Sequence, residues 1–245
     1  MENKRVFFFE DEHKYKDLDS GEIYTSVTQL INSYKKPFNE QLWGAYTTLK
    51  SRGMAVYVKD DKLYSKGKLL NHPTIDASQV LNQWKEKKDK ACEQGTFVHS
   101  YIENLAMKKF INVPDKYYDI SKVAEDYFFT VNPIIVAREK VMHCPIYKVA
   151  GTCDAEELGR VTDYKTNEDI EKPGYNNLLG PVSDLTDSKL DVYKLQLNLY
   201  QYLIGTPLLK RIVHITETDW KIYEVEDYDV IPLLEDFKNK QNENS

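Results

Sequence analysis

The chain has 245 residues, 41% of them hydrophobic and 29% charged, with a formal net charge of −6. That length is enough to bury a sizeable core, and the acidic balance argues against a surface that coats nucleic acid indiscriminately. No apolar run is long enough to span a bilayer, so contact with a membrane is not expected.

The start, Met1-Glu2-Asn3-Lys4-Arg5, lacks the apolar stretch of a signal peptide, and Cys92, Cys144 and Cys153 are too few and too scattered for a disulfide framework. The expectation is a cytoplasmic protein in a reduced compartment. Net acidity still leaves room for a nucleic-acid enzyme, because a site for divalent cations needs carboxylates and the ions then neutralise phosphate locally. The 18 tyrosines suit core and amphipathic surface first, and base stacking second.

In chain order, "RVFFF" predicts an aromatic strand, followed by a turn at Asp19-Ser20-Gly21 and another short strand. Ser26-Val27-Thr28-Gln29 has the capping-box pattern, so a helix is expected from Val27 to before Pro37. A second helix is expected over 40–58 and a loop over 60–73. Asp76 would cap a long helix through Ala91, with Gly95-Thr96 ending it and opening the next helix, which runs to Lys109. Strands are expected over 134–142, 147–157 and 161–166, and then a loop over 167–188. A strong helix over 190–204, strands over 211–216 and 221–225 and a short last helix complete the order. With no internal repeat and no clear linker, residues 1–238 read as one domain with a helical N-terminal part and 239–245 as a disordered tail.

The chemistry concentrates in "GTCDAEELGRVTDYKTN". If the chain turns back at Leu158-Gly159, Glu157 faces Arg160 and Asp154 falls opposite Asp163. Lys165 lies two positions on and points to the same face. Paired carboxylates repel unless something positive sits between them. Lys165 alone would make a small salt cluster; Mg²⁺ or Mn²⁺ would make a hydrolytic site, with the lysine orienting a water or stabilising charge on phosphorus.

Two helical pairs accompany this stretch. His99 and Glu103 in "GTFVHSYIEN" are four apart and share a helix face, as do Gln196 and Tyr200 in "YKLQLNLYQYLI". Taken singly, the first would read as a surface contact and the second as the polar margin of a core helix flanked by Leu195, Leu199 and Leu203.

In sequence order, "GTFVHSYIE", "AGTCD", "DYKT" and "QLNLY" resemble the PD-(D/E)XK nuclease superfamily, specifically its RecB-like branch. "YTSVTQLINSYKKPF" resembles the N-terminal segment of the phage and mitochondrial genome maintenance exonuclease members, so the similarity runs from about residue 7 to residue 204. The resemblance implies an α/β, restriction-endonuclease-like core with a mixed central β-sheet flanked by helices. It implies Asp154 and Asp163 as metal ligands completed by His99, Lys165 as the catalytic lysine, and Glu103 as an acidic group holding a metal-bound water. Gln196 and Tyr200 match a Q-x-x-x-Y motif that positions the DNA strand, and Thr166 of "DYKT" joins them beside the substrate.

The chain departs from the superfamily pattern where Gly151-Thr152-Cys153 replaces proline before Asp154 and where the middle acid gives D-x-K. No cysteine follows Tyr200, so no iron–sulfur cluster is expected, and there is no P-loop. Lys85 and Lys88 in "WKEKKDK", with Lys87 and Lys90, are candidates for phosphate contact or a solvated face; Lys35 and Lys36 are similar. The 167–188 loop follows the "DYKT" strand and is a candidate for binding or gating substrate. His13, His72, His143 and His214 show no ligand spacing, and Trp43, Trp84 and Trp220 are expected to pack.

The implied activity is a Mg²⁺- or Mn²⁺-dependent deoxyribonuclease, an exonuclease on single-stranded DNA or duplex ends rather than an endonuclease, serving replication or recombination proteins of a phage. The alternatives are a non-catalytic nuclease-fold module binding DNA or a partner protein, and a structural protein whose acids form a salt cluster.

Overall fold

In this computed structural model, residues 5–12 and 14–243 are described. Met1 to Lys4, the stretch in which no leader is expected, His13, and the last two tail residues lie outside the described residues. Contacts cluster into two units, one of residues 1–36 with 95–245 and a smaller one of 37–94.

The larger unit opens with β1 (Val6–Phe9), β2 (Lys14–Asp17) and β3 (Ile23–Ser26), leading into α1 (Val27–Ser33). Ser26 Oγ accepts from the Gln29 amide at 3.0 Å and Gln29 Oε1 accepts from the Ser26 amide at 3.1 Å, the reciprocal box expected from the spacing. Helix α1 buries Val27, Leu30 and Ile31.

The smaller unit holds α2 (Glu40–Ser51) and the strands β4 (Val56–Lys59), β5 (Lys62–Ser65) and β6 (Lys68–Leu69). These strands correct the expected loop over 60–73 and shorten the helix expected to reach residue 58. Asp60 and Asp61 adopt left-handed backbone (φ 47° and 54°), so two non-glycine residues close a two-residue hairpin turn usually signalled by glycine.

Helix α3 (Ser78–Ala106) runs through Gly95-Thr96 without the expected stop. The glycine has another use: a Cβ there would lie 3.3 Å from Thr166 Oγ1, so its lack of a side chain permits close approach. Next comes α4 (Tyr118–Val131), in a stretch for which no element was expected. Beyond it lie β7 (Ile135–Cys144), β8 (Val149–Glu157), β9 (Arg160–Lys165), α5 (Lys189–Ile204), β10 (Leu209–Ile215), β11 (Trp220–Glu224) and α6 (Ile231–Glu243). Helix α6 continues to Glu243, through positions expected to be a disordered tail.

The sheet of the larger unit runs β1-β2-β3-β8-β9-β10-β11, with β7 also paired to β8. It is mixed: β3/β8 and β9/β10 are parallel and the other pairs antiparallel. Strand β7 follows β8 from Val149 to Glu157, so β3 and β9 must share the other edge of β8, the first at Val149-Ala150 and the second at Ala155 to Glu157. The residues between, Gly151 to Asp154, form the fork. Helices cover both faces. One apolar cluster joins α1, α5 and α6 to Val149, Cys153 and Ile212, and another joins the end of α3 and α4 to Ala155, Tyr164 and Val213. The mixed α/β architecture with flanking helices is as expected, and no helix among the described residues is long and apolar enough to cross a membrane.

Candidate functional site

Strands β8 and β9 turn at Leu158-Gly159, with Glu157 paired to Arg160 and Gly159 at φ 76°. The two-residue turn is the one on which the register count depends. The ladder ends at Ala155↔Thr162, one step short of Asp154 and Asp163. Beyond it the Tyr164 amide donates to Asp154 Oδ2 at 2.6 Å, so a side chain takes the role of a ladder partner.

Strand β8 is irregular here. Cys153 belongs to the α1/α5 core and Ala155 to the α3/α4 core, although residues two apart in a regular strand share a face. On β7 the pairing passes from Arg138↔Ala155 to Lys140↔Cys153, skipping Glu139, whose φ is 43°. A non-glycine residue in that region costs roughly 1–2 kcal/mol and persists only where its surroundings enforce it.

The flanking pairs place Glu139 directly across from Asp154, and so at the site. Ligand atoms of His99, Glu139 and Asp154 all lie within 4.8 Å of one another. His99, on α3, places Nδ1 3.3 Å from Asp154 Oδ1 and Nε2 2.8 Å from the Tyr164 carbonyl oxygen. With Nε2–H donating to that carbonyl, Nδ1 is the nitrogen free to bind a cation, the arrangement common to metal-binding histidines. One imidazole nitrogen and two carboxylates fit Mn²⁺ or Mg²⁺ in donor type. Glu139 is absent from the sequence expectation. Its only signal is a glutamate between Arg138 and Lys140 inside a predicted strand.

Asp163 lies outside that close set. Its Oδ2 is 2.5 Å from Lys165 Nζ, a close ion pair. The expectation grouped Asp163 with His99 and Asp154 as ligands; the close set adds Glu139 to those two, while Asp163 pairs with Lys165 and still acts on the charges of His99 and Asp154.

Charges respond to this crowding. Burial alone would lower the His99 pKa, but the charge and hydrogen bond of Asp154 raise it to about 9. Asp154 is resisted by burial yet held below the usual carboxylate range, chiefly by His99. Asp163 is pushed up to about 6 by burial, opposed by Lys165 and aided by Asp154. Glu139 rises to about 7, from burial first and then from Asp154. Lys165 stays cationic: burial works against it, and Asp163 and Asp154 raise it. Its Nζ also sits 4.5 Å from the Tyr193 ring centroid, and the Tyr193 hydroxyl donates to Asn167 Oδ1. Tyr193 and Asn167 are further neighbours not anticipated from sequence.

The other expected residues distribute as follows. Glu103 lines a small cleft with His99, Arg138, Glu139 and Asp154, and its Oε1 is 4.0 Å from Arg138 Nε. Gln196 Nε2 donates to the Tyr200 hydroxyl at 2.6 Å. Tyr200 is buried, and a Cβ on Gly151 would lie 2.6 Å from its ring, so the glycine of "AGTCD" lets α5 press on the fork of β8. Thr166 is half-buried against Gly95. Lys85 and Lys88 are exposed on the part of α3 that belongs to the smaller unit.

The 167–188 loop is internally tied. Asp187 Oδ1 accepts from the amides of Tyr175 (2.6 Å) and Asn176 (3.1 Å), and Ile170, Leu178 and Val182 are buried. Its position after Lys165 is as expected; its own packing is that of an ordered segment. Trp220 packs beside Tyr127, and His214 Nε2 lies 2.5 Å from the Asn167 carbonyl oxygen.

No protein-family model and no curated protein matches the chain. Among solved structures, a protein from Eubacterium rectale assigned as an exonuclease is similar over 62% of this chain, at 18% identity and a TM-score of 0.43. The chain spans 65% of that protein, just under two thirds of its length. An alkaline exonuclease from Laribacter hongkongensis is similar over 59% of this chain and 77% of its own, at 12% identity and a TM-score of 0.37. At these scores the likeness carries no inference about chemistry.

Proposed function

We propose that the chain is a metal-dependent nuclease that hydrolyses phosphodiester bonds in DNA, with the cation held by His99, Glu139 and Asp154. The observation that carries this reading is the convergence of those three donors within 4.8 Å beside a buried lysine–carboxylate pair. When bound, Mg²⁺ or Mn²⁺ would supply Lewis-acid polarisation of the phosphoryl oxygen and acidify water.

The chain's own groups have separate tasks. His99 is held in one ring orientation by the Tyr164 carbonyl, and Asp154 by the Tyr164 amide, so one backbone residue fixes two of the three donors. Lys165, kept cationic by Asp163, would orient the attacking water or stabilise charge building on the phosphoryl group. Gln196 and Tyr200 are bonded to each other on the helix that packs against the fork, where the buried Tyr200 would brace the strand carrying Asp154 and the half-buried Gln196 would be the one to meet substrate. Exonucleolytic action on single-stranded or end-opened DNA is the form implied by the sequence resemblance.

The test is cleavage of end-labelled single-stranded and duplex DNA in Mn²⁺, with and without chelator, for the parent and Lys165→Ala. The reading expects cutting that the chelator stops and that Lys165→Ala lowers by about 10²–10³, the usual loss for one stabilising donor. Parental rates in Lys165→Ala, or cutting in chelator, would overturn it.

A further inference from the structure

The smaller unit differs in charge from the rest. Residues 37–94 carry ten Lys and Arg against seven Asp and Glu, a formal +3, so the remaining residues carry −9 of the chain's net −6. Such an asymmetry marks a surface for a polyanion.

The β4–β6 sheet shows where that surface lies. Cross-strand partners share a face, and residues two apart on a strand share it too. The pairings Val58↔Leu63 and Val56↔Ser65 therefore define one face, and Val56 and Leu63 on it are buried with Leu42, Ala45 and Leu49 of α2. The other face carries Tyr57↔Tyr64 and Lys59↔Lys62, with Leu69 opposite Tyr64. Tyr57 is 46% exposed and Leu69 60%, and both lysines are exposed.

Two features of this face are unlike ordinary solvated sheet. The tyrosine rings are stacked on each other, with centroids 5.3 Å apart and planes 11° from parallel, an aromatic shelf that a base could extend by stacking on an outer ring face. The two lysines are directly opposite each other beside Asp60 and Asp61 of the connecting turn, and with Lys50, Arg52, Lys66 and Lys68 the segment 50–70 carries six cations against those two acids. A cleft lined by Lys50, Met54, Tyr57 and Lys66 adjoins the shelf and holds two of these cations. Aromatic stacking surface beside backbone-tracking positive charge is what binds unpaired nucleotides without sequence preference.

We propose that the Tyr57–Tyr64 shelf, with Lys59, Lys62, Lys50 and Lys66, is a single-stranded DNA-binding face separate from the candidate catalytic site. The bases stack on the tyrosines and the phosphates run over the lysines. The role of this face in presenting substrate rests on the nuclease reading; its binding of single strands does not.

The experiment measures Kd for a fluorescent oligothymidylate by anisotropy in chelator, where cutting is suppressed, at several salt concentrations. The full chain is compared with Tyr57→Leu/Tyr64→Leu, which keeps an apolar shelf without rings, and with Lys59→Gln/Lys62→Gln. The tyrosine pair should raise Kd about tenfold or more, within the range for lost base stacking. The lysine pair should make the dependence of log Kd on log salt shallower by about one. Circular dichroism melts confirm that each variant folds; if the leucine variant does not, Tyr57→Leu alone is measured.

Unchanged Kd in folded tyrosine variants would overturn the inference, as would equal losses on blunt duplex, whose bases are not free to stack. Cutting in Mn²⁺ is measured separately with Lys165→Ala. A cutting-competent Lys165→Ala with an intact shelf effect fails the site reading alone, and a dead Lys165→Ala with no shelf effect fails this one alone.

Discussion

Two buried polar clusters share strands β8 and β9 of the same sheet and differ in kind. Around Arg211 everything is matched: Nη2 donates to both Glu157 oxygens at 2.7 and 2.9 Å and to the Tyr127 hydroxyl at 3.0 Å, and Nε donates to Thr162 Oγ1 at 3.0 Å. A few residues along β8 and β9, Asp154 and Asp163 join Glu139 of β7 in crowding His99 and Lys165, and two of these acids are pushed well above their usual range. The matched cluster holds strands together. The crowded one leaves negative charge that a cation would relieve, and its backbone bears the strain. Burial of charge alone therefore does not identify a site; incomplete compensation does.

The difference can be broken at either end, and the largest effect is expected at the matched cluster. Arg211→Met strands the Glu157 carboxylate in the core and should cost about 3–5 kcal/mol in urea unfolding, whereas Arg211→Met/Glu157→Met should recover much of it. A loss below about 1 kcal/mol in the single variant would show that the cluster is not the brace described.

Next is the packing under the crowded cluster. Gly151→Ala places a Cβ 2.6 Å from the buried Tyr200 ring, so α5 or β8 must shift. The expected cost is about 1–3 kcal/mol in thermal or urea unfolding, with lower nuclease activity, since overpacking moves the fork that carries Asp154. Unchanged stability and rate together would mean that this contact does not position the site.

The smallest change sharpens the comparison most. Glu139→Gln removes one carboxylate charge while keeping shape. Mn²⁺ affinity by calorimetry should weaken about tenfold, or about 1.4 kcal/mol, the scale on which groups around a metal act. Unfolding without metal should change little. Unaltered Mn²⁺ affinity would remove Glu139 from the proposed donor set.

Much of the site was legible because its signals are local. The Leu158-Gly159 turn, the placing of Lys165 beside Asp163, the Ser26 capping box and the i,i+4 contact of Gln196 with Tyr200 each depend on short spacings. What escaped depends on distant residues or on uncommon backbone. Gly95 reads as a helix stop until Thr166, far along the chain, is seen to need the space. The β4–β5 hairpin lacks a glycine turn, because Asp60 and Asp61 take up its left-handed conformation.

The sequence by itself determined the order of elements around the site, the fork-forming turn and the chemical types that gather there, because hydrophobic period, capping and turn chemistry act over a few residues. Only the tertiary structure decided that Glu139 joins His99 and Asp154 while Asp163 turns to Lys165. Glu139 reaches Asp154 through the β7–β8 register, in which Arg138 pairs with Ala155 and Lys140 with Cys153, and His99 reaches it from a helix far away in the chain that crosses close enough to bond Tyr164.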